Sequence, residues 1–214
     1  HFYTKKEHRH SLRTRYYRAK NLNNTNQESL SDVYFGEYQY QHRAKKELTI
    51  TSGLTGNYGE VHSDSLYGNH YSTNLAAFAQ ADKKYRRWNF SLGLRGEFFK
   101  VDTAETEYTP GGSLRLPFRP VLRSGLNYRA GKHTYLRSSF GQAYRFPSVA
   151  EKFISTSSGD LNIYPNPDLK PETGWSAEAG LRQPFRTGRW QGFADLAGFW
   201  QEYQNMMEFT FGYW

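Results

Sequence analysis

The chain has 214 residues and a formal net charge of +8, with 28 Lys and Arg against 20 Asp and Glu. Its mean hydropathy of −0.85 is too polar for a helical membrane protein, and no stretch approaches the roughly 20 apolar residues of a spanning helix. The lack of cysteine excludes a disulfide framework, a thiolate metal site and a cysteine nucleophile. The basic residues are scattered instead of forming one stripe, which argues against nucleic-acid binding.

Apolar and polar residues alternate along much of the chain, and side chains alternate between the two faces of a strand. The clearest case is Arg87–Lys100, where Leu92 and Leu94 alternate with Gly93 and Arg95. The pattern predicts about nine long strands, and a tilted strand of about ten residues crosses a bilayer in an outer-membrane barrel. In chain order the predicted strands are Ser11–Ala19, Ser31–His42, Glu47–Tyr58, Thr73–Asp82, Arg87–Lys100, Pro120–Arg129, His133–Ala143, Thr173–Gln183 and Arg189–Gln204.

The connections between these strands alternate strictly in length. The short ones are Arg43–Lys46, Lys83–Arg86, Ala130–Lys132 and Phe185–Gly188. The long ones are Lys20–Leu30, Gly59–Ser72, Val101–Arg119 and Tyr144–Glu172. Short turns at one rim and long loops at the other are typical of transmembrane barrels. The predicted fold is therefore all-β, a portion of an antiparallel transmembrane β-barrel.

The polar side of the predicted strands suits a wet lumen, since it carries charged residues and glycine. The residues predicted to face the lumen are Arg95, Glu97, Arg137, Glu178 and Arg182. Aromatic residues near strand ends, such as Trp88 and Trp190, suit the membrane interface. Tyr16–Tyr17 and Tyr34–Tyr40 alternate poorly, and Phe193–Trp200 is apolar on both sides, which favours packing against another protein element or a different register.

Two motifs carry a resemblance to a known family. Residues 135–151 read YLRSSFGQAYRFPSVAE, and residues 166–178 read NPDLKPETGWSAE. Together they resemble the C-terminal half of the barrel in TonB-dependent outer-membrane receptors, where a strand ending in an R-x-P-S motif precedes a loop containing N-P-x-L-K-P-E. The resemblance is strong over Pro120–Met207 and weaker before it. At this rim Glu172 is predicted to pair with Arg145 or Lys170.

The resemblance implies TonB-energised uptake of a scarce solute, such as a ferric siderophore, haem, cobalamin or a glycan, across the outer membrane of a Gram-negative bacterium. It implies as partners the TonB–ExbB–ExbD complex acting through a plug domain, outer-membrane lipid and lipopolysaccharide, and the imported solute. Residues 1–214 are then an internal barrel segment without the plug or the terminal strands. The alternatives are a passive porin or structural barrel, and a soluble β-rich binding module.

Candidate ligand contacts come from the predicted long loops, because aromatic and basic side chains suit sugars, apolar ligands and anionic chelates. These candidates are Tyr67, His70, Tyr71, Tyr144, Arg145 and Asn166. No G-x-S-x-G motif or acid–base pair is present, so no catalytic residue and no enzyme activity is predicted. The pairs His8 with His10 and His62 with His70 lack a third ligand, so no metal site or cofactor is predicted.

Overall fold

A computed structural model of the protein describes residues 2–5, 7–22, 27–44, 47–102, 118–158 and 161–208. The strands are β1 (Phe2–Lys5), β2 (His8–Asn21), β3 (Ser29–Ala44), β4 (Leu48–Ser63), β5 (Gly68–Tyr85), β6 (Trp88–Val101), β7 (Phe118–Arg129), β8 (Tyr135–Arg145), β9 (Thr156–Ser158), β10 (Leu161–Ile163), β11 (Glu172–Thr187) and β12 (Trp190–Gln204). A short helix, α1, covers Val149–Phe153. No helix in the described part of the chain has the length and apolar character needed to cross a membrane.

Within the described residues, ten strands form one antiparallel sheet in the order β1-β2-β3-β4-β5-β6-β7-β8-β11-β12. Each long strand pairs with the next one along the chain, as expected for an up-and-down barrel wall. The nine long strands, β2–β8 with β11 and β12, confirm the predicted all-β fold and strand number. The short strand β1, the β9–β10 hairpin and α1 were not predicted.

The prediction of a long loop at Gly59–Ser72 is wrong. Strand β4 continues to Ser63 and β5 begins at Gly68, so only residues 64–67 form the turn. The reason is physical: beyond the membrane both faces of a hairpin meet water, so the apolar alternation stops while backbone pairing continues. The predicted loop Val101–Arg119 lies mostly at residues 103–117, outside the described residues.

The sheet has almost no core of its own. Among the described residues only four apolar side chains are buried, and these are Ala76, Val101, Val121 and Val149. Large apolar side chains on one face stay open, for example Leu94 at 59% and Leu196 at 75% exposure. A soluble sandwich would cover such a face with a second sheet. Apolar residues that face outward and polar residues that face inward are the arrangement of a transmembrane barrel.

Outward-facing tyrosines form a girdle toward the C-terminal ends of β2 and β4 and the N-terminal ends of β3 and β5. Neighbouring rings of Tyr16, Tyr34, Tyr58 and Tyr71 have centroids 5.1, 6.3 and 6.5 Å apart. Near the short turns, the rings of Trp88 and Tyr128 stack at 4.1 Å. Such girdles mark the two membrane interfaces. Of the poorly alternating tyrosines of the sequence, Tyr16 and Tyr34 are therefore interface residues.

The distance between the girdles fits a bilayer. Residues 48–58 of β4 cover about 33 Å at about 3.3 Å per residue. A strand tilt of about 40° reduces this to roughly 25 Å along the barrel axis, which is the height of the apolar band in outer-membrane barrels. Residues beyond Tyr58 on β4, and residues 145–172, lie outside the membrane-crossing part of the wall.

Candidate solute-facing site

A cavity of about 840 Å³ lies on the lumen-facing side of β5–β8. Its walls combine basic groups, two carboxylates and aromatic rings, including those of Arg95, Arg123, Glu37, Glu97, Phe78, Tyr144 and Phe146. Cavities of this size and mixed lining are typical of ligand sites. The cavity therefore marks a part of the lumen-facing wall that has space for a ligand and charged and aromatic groups to contact it.

Strand register explains why these residues meet. Arg123 on β7 pairs with Gly93 on β6 and with Gly141 on β8, so its side chain rises between two glycines on the same face. A Cβ at Gly141 would approach no atom closer than 3.9 Å, and one at Gly125 none closer than 3.8 Å. These glycines therefore leave space beside Arg123 because they have no side chain, and close strand packing does not require them.

Glu97 is the centre of a polar network in the cavity. It accepts hydrogen bonds from the Asn74 amide, the Tyr144 hydroxyl and, at 2.9 Å, the Arg95 Nε. Arg95 also donates to Thr55 Oγ1 at 3.2 Å. With its side chain only 14% exposed, Glu97 needs these donors to remain charged and satisfied.

Tyr144 reaches this network because β8 separates from β7. Their pairing ends at Arg123 and Gly141, after which the Gln142 side chain accepts the Leu122 backbone N–H at 3.0 Å. Strict alternation would turn Tyr144 outward, whereas the separation lets its hydroxyl turn inward to Glu97. Tyr144 is thus the penultimate residue of β8 and does not lie in a loop.

Replacing Tyr144 by phenylalanine should lower the stability of the folded protein, because Glu97 loses one donor in a mostly buried position. We expect a loss of about 1.5–3 kcal/mol, the range for a hydrogen bond to a charged group. Thermal unfolding of the full-length protein in detergent measures it. Tyr164→Phe is the matched control, since Tyr164 is 75% exposed. Equal losses in both variants would contradict a structural role for the Tyr144 hydroxyl.

The other lumen residues form a second ionic group toward β12. Arg137 donates to Glu178 at 3.0 Å and to Asp195 at 2.9 Å, joining β8, β11 and β12. The Arg182 guanidinium lies 4.3 Å from the centroid of the Phe193 ring. The structure thus places Arg95, Glu97, Arg137, Glu178 and Arg182 on the polar face of the sheet.

Arg145 lies in a cluster with Glu151 and Glu172, called here the Arg145 cluster. It donates to both oxygens of Glu172 at 2.8 and 3.0 Å and to both oxygens of Glu151 at 2.7 and 2.9 Å. Ser148 caps α1 in a reciprocal capping box with Glu151. The Met207 N–H donates to Glu172 at 2.7 Å. The predicted pairing of Arg145 with Glu172 is confirmed.

The cluster holds both carboxylates in the charged form. Hydrogen bonds from Arg145 and then from the Met207 N–H lower the pKa of Glu172 to about 2. Partial burial acts to raise the pKa of Glu151, but hydrogen bonds from Ser148 and Arg145 outweigh it, so that pKa is lowered. Both carboxylates therefore stay paired with Arg145 at any physiological pH.

The predicted ligand residues do not form one site. Tyr67 lies in the 64–67 turn, and His70 and Tyr71 lie on β5, where a loop was expected. Tyr71 faces outward in the girdle, and Asn166 lies between β10 and β11, its N–H donating to the Lys152 carbonyl at 2.8 Å. Only Tyr144 and Arg145 line the cavity.

The cavity residues that were not singled out as candidate ligand contacts include Phe78, Arg123 and Phe146. The alternation of β7 carried a signal for Arg123, which falls on its polar side. Phe146 follows the end of β8, where periodicity gives no information. In the described ranges, no group of three or more His, Asp or Glu side chains is placed to hold a metal ion.

The family model described as "TonB dependent receptor-like, beta-barrel" matches residues 2–213. No curated protein sequence matches the chain significantly.

Several solved structures share the fold at low sequence identity. The hemophore receptor HasR of Serratia marcescens, solved as a double mutant with its hemophore HasA and heme, is 17% identical with a TM-score of 0.66, over 84% of this chain and 34% of that one. The copper transporter OprC is 18% identical with a TM-score of 0.62, over 84% and 30%. The FrpB iron transporter of Neisseria meningitidis, as an apoprotein, is 16% identical with a TM-score of 0.58, over 82% and 29%.

The matched region is thus about a third of each of these solved chains. At such identities the likeness to the solved structures shows the fold, whereas the family model covers nearly the whole chain. That family consists of outer-membrane transport receptors of Gram-negative bacteria and not of enzymes. The chain belongs to the TonB-dependent receptor family, within its β-barrel.

Proposed function

We propose that this chain is part of the barrel wall of an outer-membrane receptor for TonB-energised uptake of a scarce solute. The family match over residues 2–213 carries the proposal. In it the chain is an internal barrel segment, the plug domain lies elsewhere in the polypeptide, and the TonB–ExbB–ExbD complex acts on the receptor through that plug. The outward girdles contact outer-membrane lipid and lipopolysaccharide.

The cavity favours an anionic solute with unsaturated groups. Arg123 has no ion-pair or hydrogen-bond partner among the described residues, so its guanidinium is available for a carboxylate or phenolate. Phe78 and Phe146 supply apolar ring surface beside it. Of the solutes that the family suggests, a ferric siderophore or haem fits this lining better than a neutral glycan. The fold neighbours are a hemophore receptor, a copper transporter and an iron transporter, which supports a metal-bearing solute.

The test uses the full-length receptor in a Gram-negative strain that lacks its own receptors for the solutes supplied. Cells receive radiolabelled ferric catecholate, ferric hydroxamate, haemin or cobalamin, with and without a functional TonB protein. We expect uptake of one anionic metal chelate that requires both the receptor and TonB. Uptake that persists without TonB would indicate a passive pore and overturn the proposal, as would failure to take up any of the four.

Arg123→Gln should weaken binding of the anionic solute by about tenfold, because the variant loses one charge-assisted contact. Arg186→Gln is the control, since Arg186 is an exposed arginine at the opposite end of the wall. Binding to whole cells in the cold, where transport stops, measures affinity. Equal affinity of the Arg123 and Arg186 variants would show that Arg123 does not bind the solute. The proposal of TonB-energised uptake would still stand.

A further inference from the structure

The positive charge of the chain is concentrated at one end of the sheet. Four short connections lie at this end, residues 43–47, 83–88, 129–133 and 186–189, and together they are called here the turn rim. They contain eleven of the 28 Lys and Arg but one of the 20 Asp and Glu, which leaves 17 against 19 in the rest of the chain. Basic residues that are scattered along the sequence are thus brought to one rim, because every second connection turns at the same end.

Backbone hydrogen bonds between neighbouring hairpins fix the positions of these basic residues. The Lys84 N–H donates to the Glu47 carbonyl at 3.1 Å, and the Arg129 N–H donates to the Arg87 carbonyl at 2.9 Å. The side chains of these three basic residues are exposed. Glu47, the one carboxylate of the turn rim, lies 3.9 Å from Lys84 and offsets a single charge. The rim therefore presents a fixed row of cations with little compensation of its own.

The β5–β6 turn places two of these cations on the face that meets lipid. Tyr85 and Trp88 pair across the hairpin on the outward face, and Lys83 pairs with Phe90 on the same face. The Arg86 guanidinium lies 5.3 Å from the centroid of the Tyr85 ring, so it lies against the girdle and not over the lumen. Lys83 and Arg86 therefore border the aromatic girdle, at the depth of lipid headgroups.

Arg86 also occupies a backbone position that disfavours arginine. Its φ is 54°, in the left-handed region where glycine is the least strained residue. The corresponding position in the β11–β12 turn, directly before Arg189 and Trp190, is Gly188 with φ 60°. The β5–β6 turn thus carries an arginine where its counterpart has glycine, which is consistent with a use for the side chain.

The chemistry of the turn rim fits an anionic lipid headgroup. Short turns of outer-membrane barrels face the periplasm, so the rim lies at the periplasmic leaflet. Basic residues next to a membrane attract anionic lipids, and arginine binds phosphate through two parallel hydrogen bonds. We propose that the turn rim binds anionic phospholipid of the periplasmic leaflet, with Lys83 and Arg86 contacting its phosphate.

The spread of the charges favours a lipid leaflet over a single protein partner. The basic turns extend from the β3–β4 hairpin to the β11–β12 hairpin, which is seven strand spacings of about 4.8 Å, or about 34 Å along the wall. A leaflet meets the wall at every one of these hairpins. The outward aromatic rings beside Arg86 also suit the glycerol and acyl region of a lipid, whereas an acidic protein in the periplasm would not need them.

The inference rests on the proposed position of the wall in the outer membrane and not on the solute. Lipid binding is measured on the purified receptor, and uptake is measured in cells. Failure of the lipid test therefore leaves the proposed uptake function untouched, and failure of uptake leaves the lipid test valid.

The test holds the full-length receptor on an affinity resin in nonionic detergent at low salt. The resin is equilibrated with equal amounts of phosphatidylglycerol and phosphatidylcholine that carry the same acyl chains, and it is then washed and eluted. Mass spectrometry measures the molar ratio of the two bound lipids. We expect phosphatidylglycerol to exceed phosphatidylcholine by at least about tenfold, since each basic residue near a lipid surface contributes about fivefold. A ratio near one would overturn the proposal.

Three variants locate the preference. Lys83→Gln/Arg86→Gln should lower the ratio by at least about fivefold. Lys83→Arg/Arg86→Lys keeps both charges and should keep most of the preference, which separates charge from any effect on folding. Lys20→Gln/Lys170→Gln is the matched control, because it removes two exposed positive charges at the opposite end of the wall, and it should keep the wild-type ratio.

Two further outcomes would contradict the proposal. One is a ratio that is unchanged in Lys83→Gln/Arg86→Gln or falls equally in Lys20→Gln/Lys170→Gln. The other is displacement of the bound phosphatidylglycerol by soluble polyglutamate, which would indicate that the turn rim is a docking surface for an acidic protein. We expect polyglutamate to leave the lipid bound, because it offers no apolar part to the aromatic girdle.

Discussion

Replacing Gly53 by alanine is expected to impair assembly of the barrel severely. A Cβ at Gly53 would lie 2.5 Å from the Tyr38 carbonyl oxygen and 2.6 Å from Cζ of the Phe78 ring. The ring can rotate, but the carbonyl belongs to the β3–β4 pairing, in which Gln39 opposes Gly53, and cannot move without breaking that ladder. Overpacking of this kind costs about 1–3 kcal/mol. The measurement is the fraction of receptor that migrates as a folded, heat-modifiable species from outer membranes.

Gly36→Ala is the matched control, because Gly36 lies on the adjacent strand and a Cβ there would meet no atom within 4 Å. It should assemble as well as the wild type. The double variant Gly53→Ala/Phe78→Ala removes the ring contact and keeps the backbone contact, so it should recover only part of the folded fraction. Equal assembly of Gly53→Ala and Gly36→Ala would show that the close approach of β3 at Gly53 is not needed.

Alternation predicted the strands because the membrane enforces it. Where β6 crosses the bilayer, every second side chain must be apolar, and residues 88–98 follow this rule apart from Gly96, which has no side chain. Outside the membrane the rule no longer applies, and the β4–β5 hairpin was therefore predicted too short. Periodicity in a barrel sequence thus locates the edge of the lipid layer more reliably than it locates the end of a strand.

The candidate site was harder to predict, for two reasons visible in particular residues. Tyr144 reaches Glu97 only because β8 separates from β7 after Gly141, which pairing rules do not foresee. Phe153 stacks on His70, 83 positions away in the sequence, and it lies in the connection between β8 and β11, which has no periodicity. Arg145 and Glu172 were predictable as a pair because motif and charge agreed, whereas the second carboxylate, Glu151, was not.

Replacing Arg145 by glutamine is expected to release the connection between β8 and β11. Without the guanidinium, Glu151 and Glu172 face each other as like charges, and α1 loses its link to β11. We expect protease cleavage between residues 146 and 171, on intact cells that carry the full-length receptor, to become about tenfold faster, since cleavage follows the population of opened loop. Arg186→Gln should leave the rate unchanged.

Two further measurements test whether repulsion between Glu151 and Glu172 causes the faster cleavage. One lowers the pH, and the other removes the charge of Glu172. A carboxylate whose pKa is lowered contributes stability above its ordinary pKa of about 4.3 and loses it as the pH falls through the folded value. For Glu172 that value is about 2, so in the wild type the connection should remain protected at pH 4. In Arg145→Gln, lowering the pH from 7 to 4 should slow cleavage, because protonation removes the repulsion. Arg145→Gln/Glu172→Gln should be cleaved more slowly than Arg145→Gln alone. If the double variant is cleaved as fast as the single one, repulsion between the two carboxylates does not open this rim of the barrel.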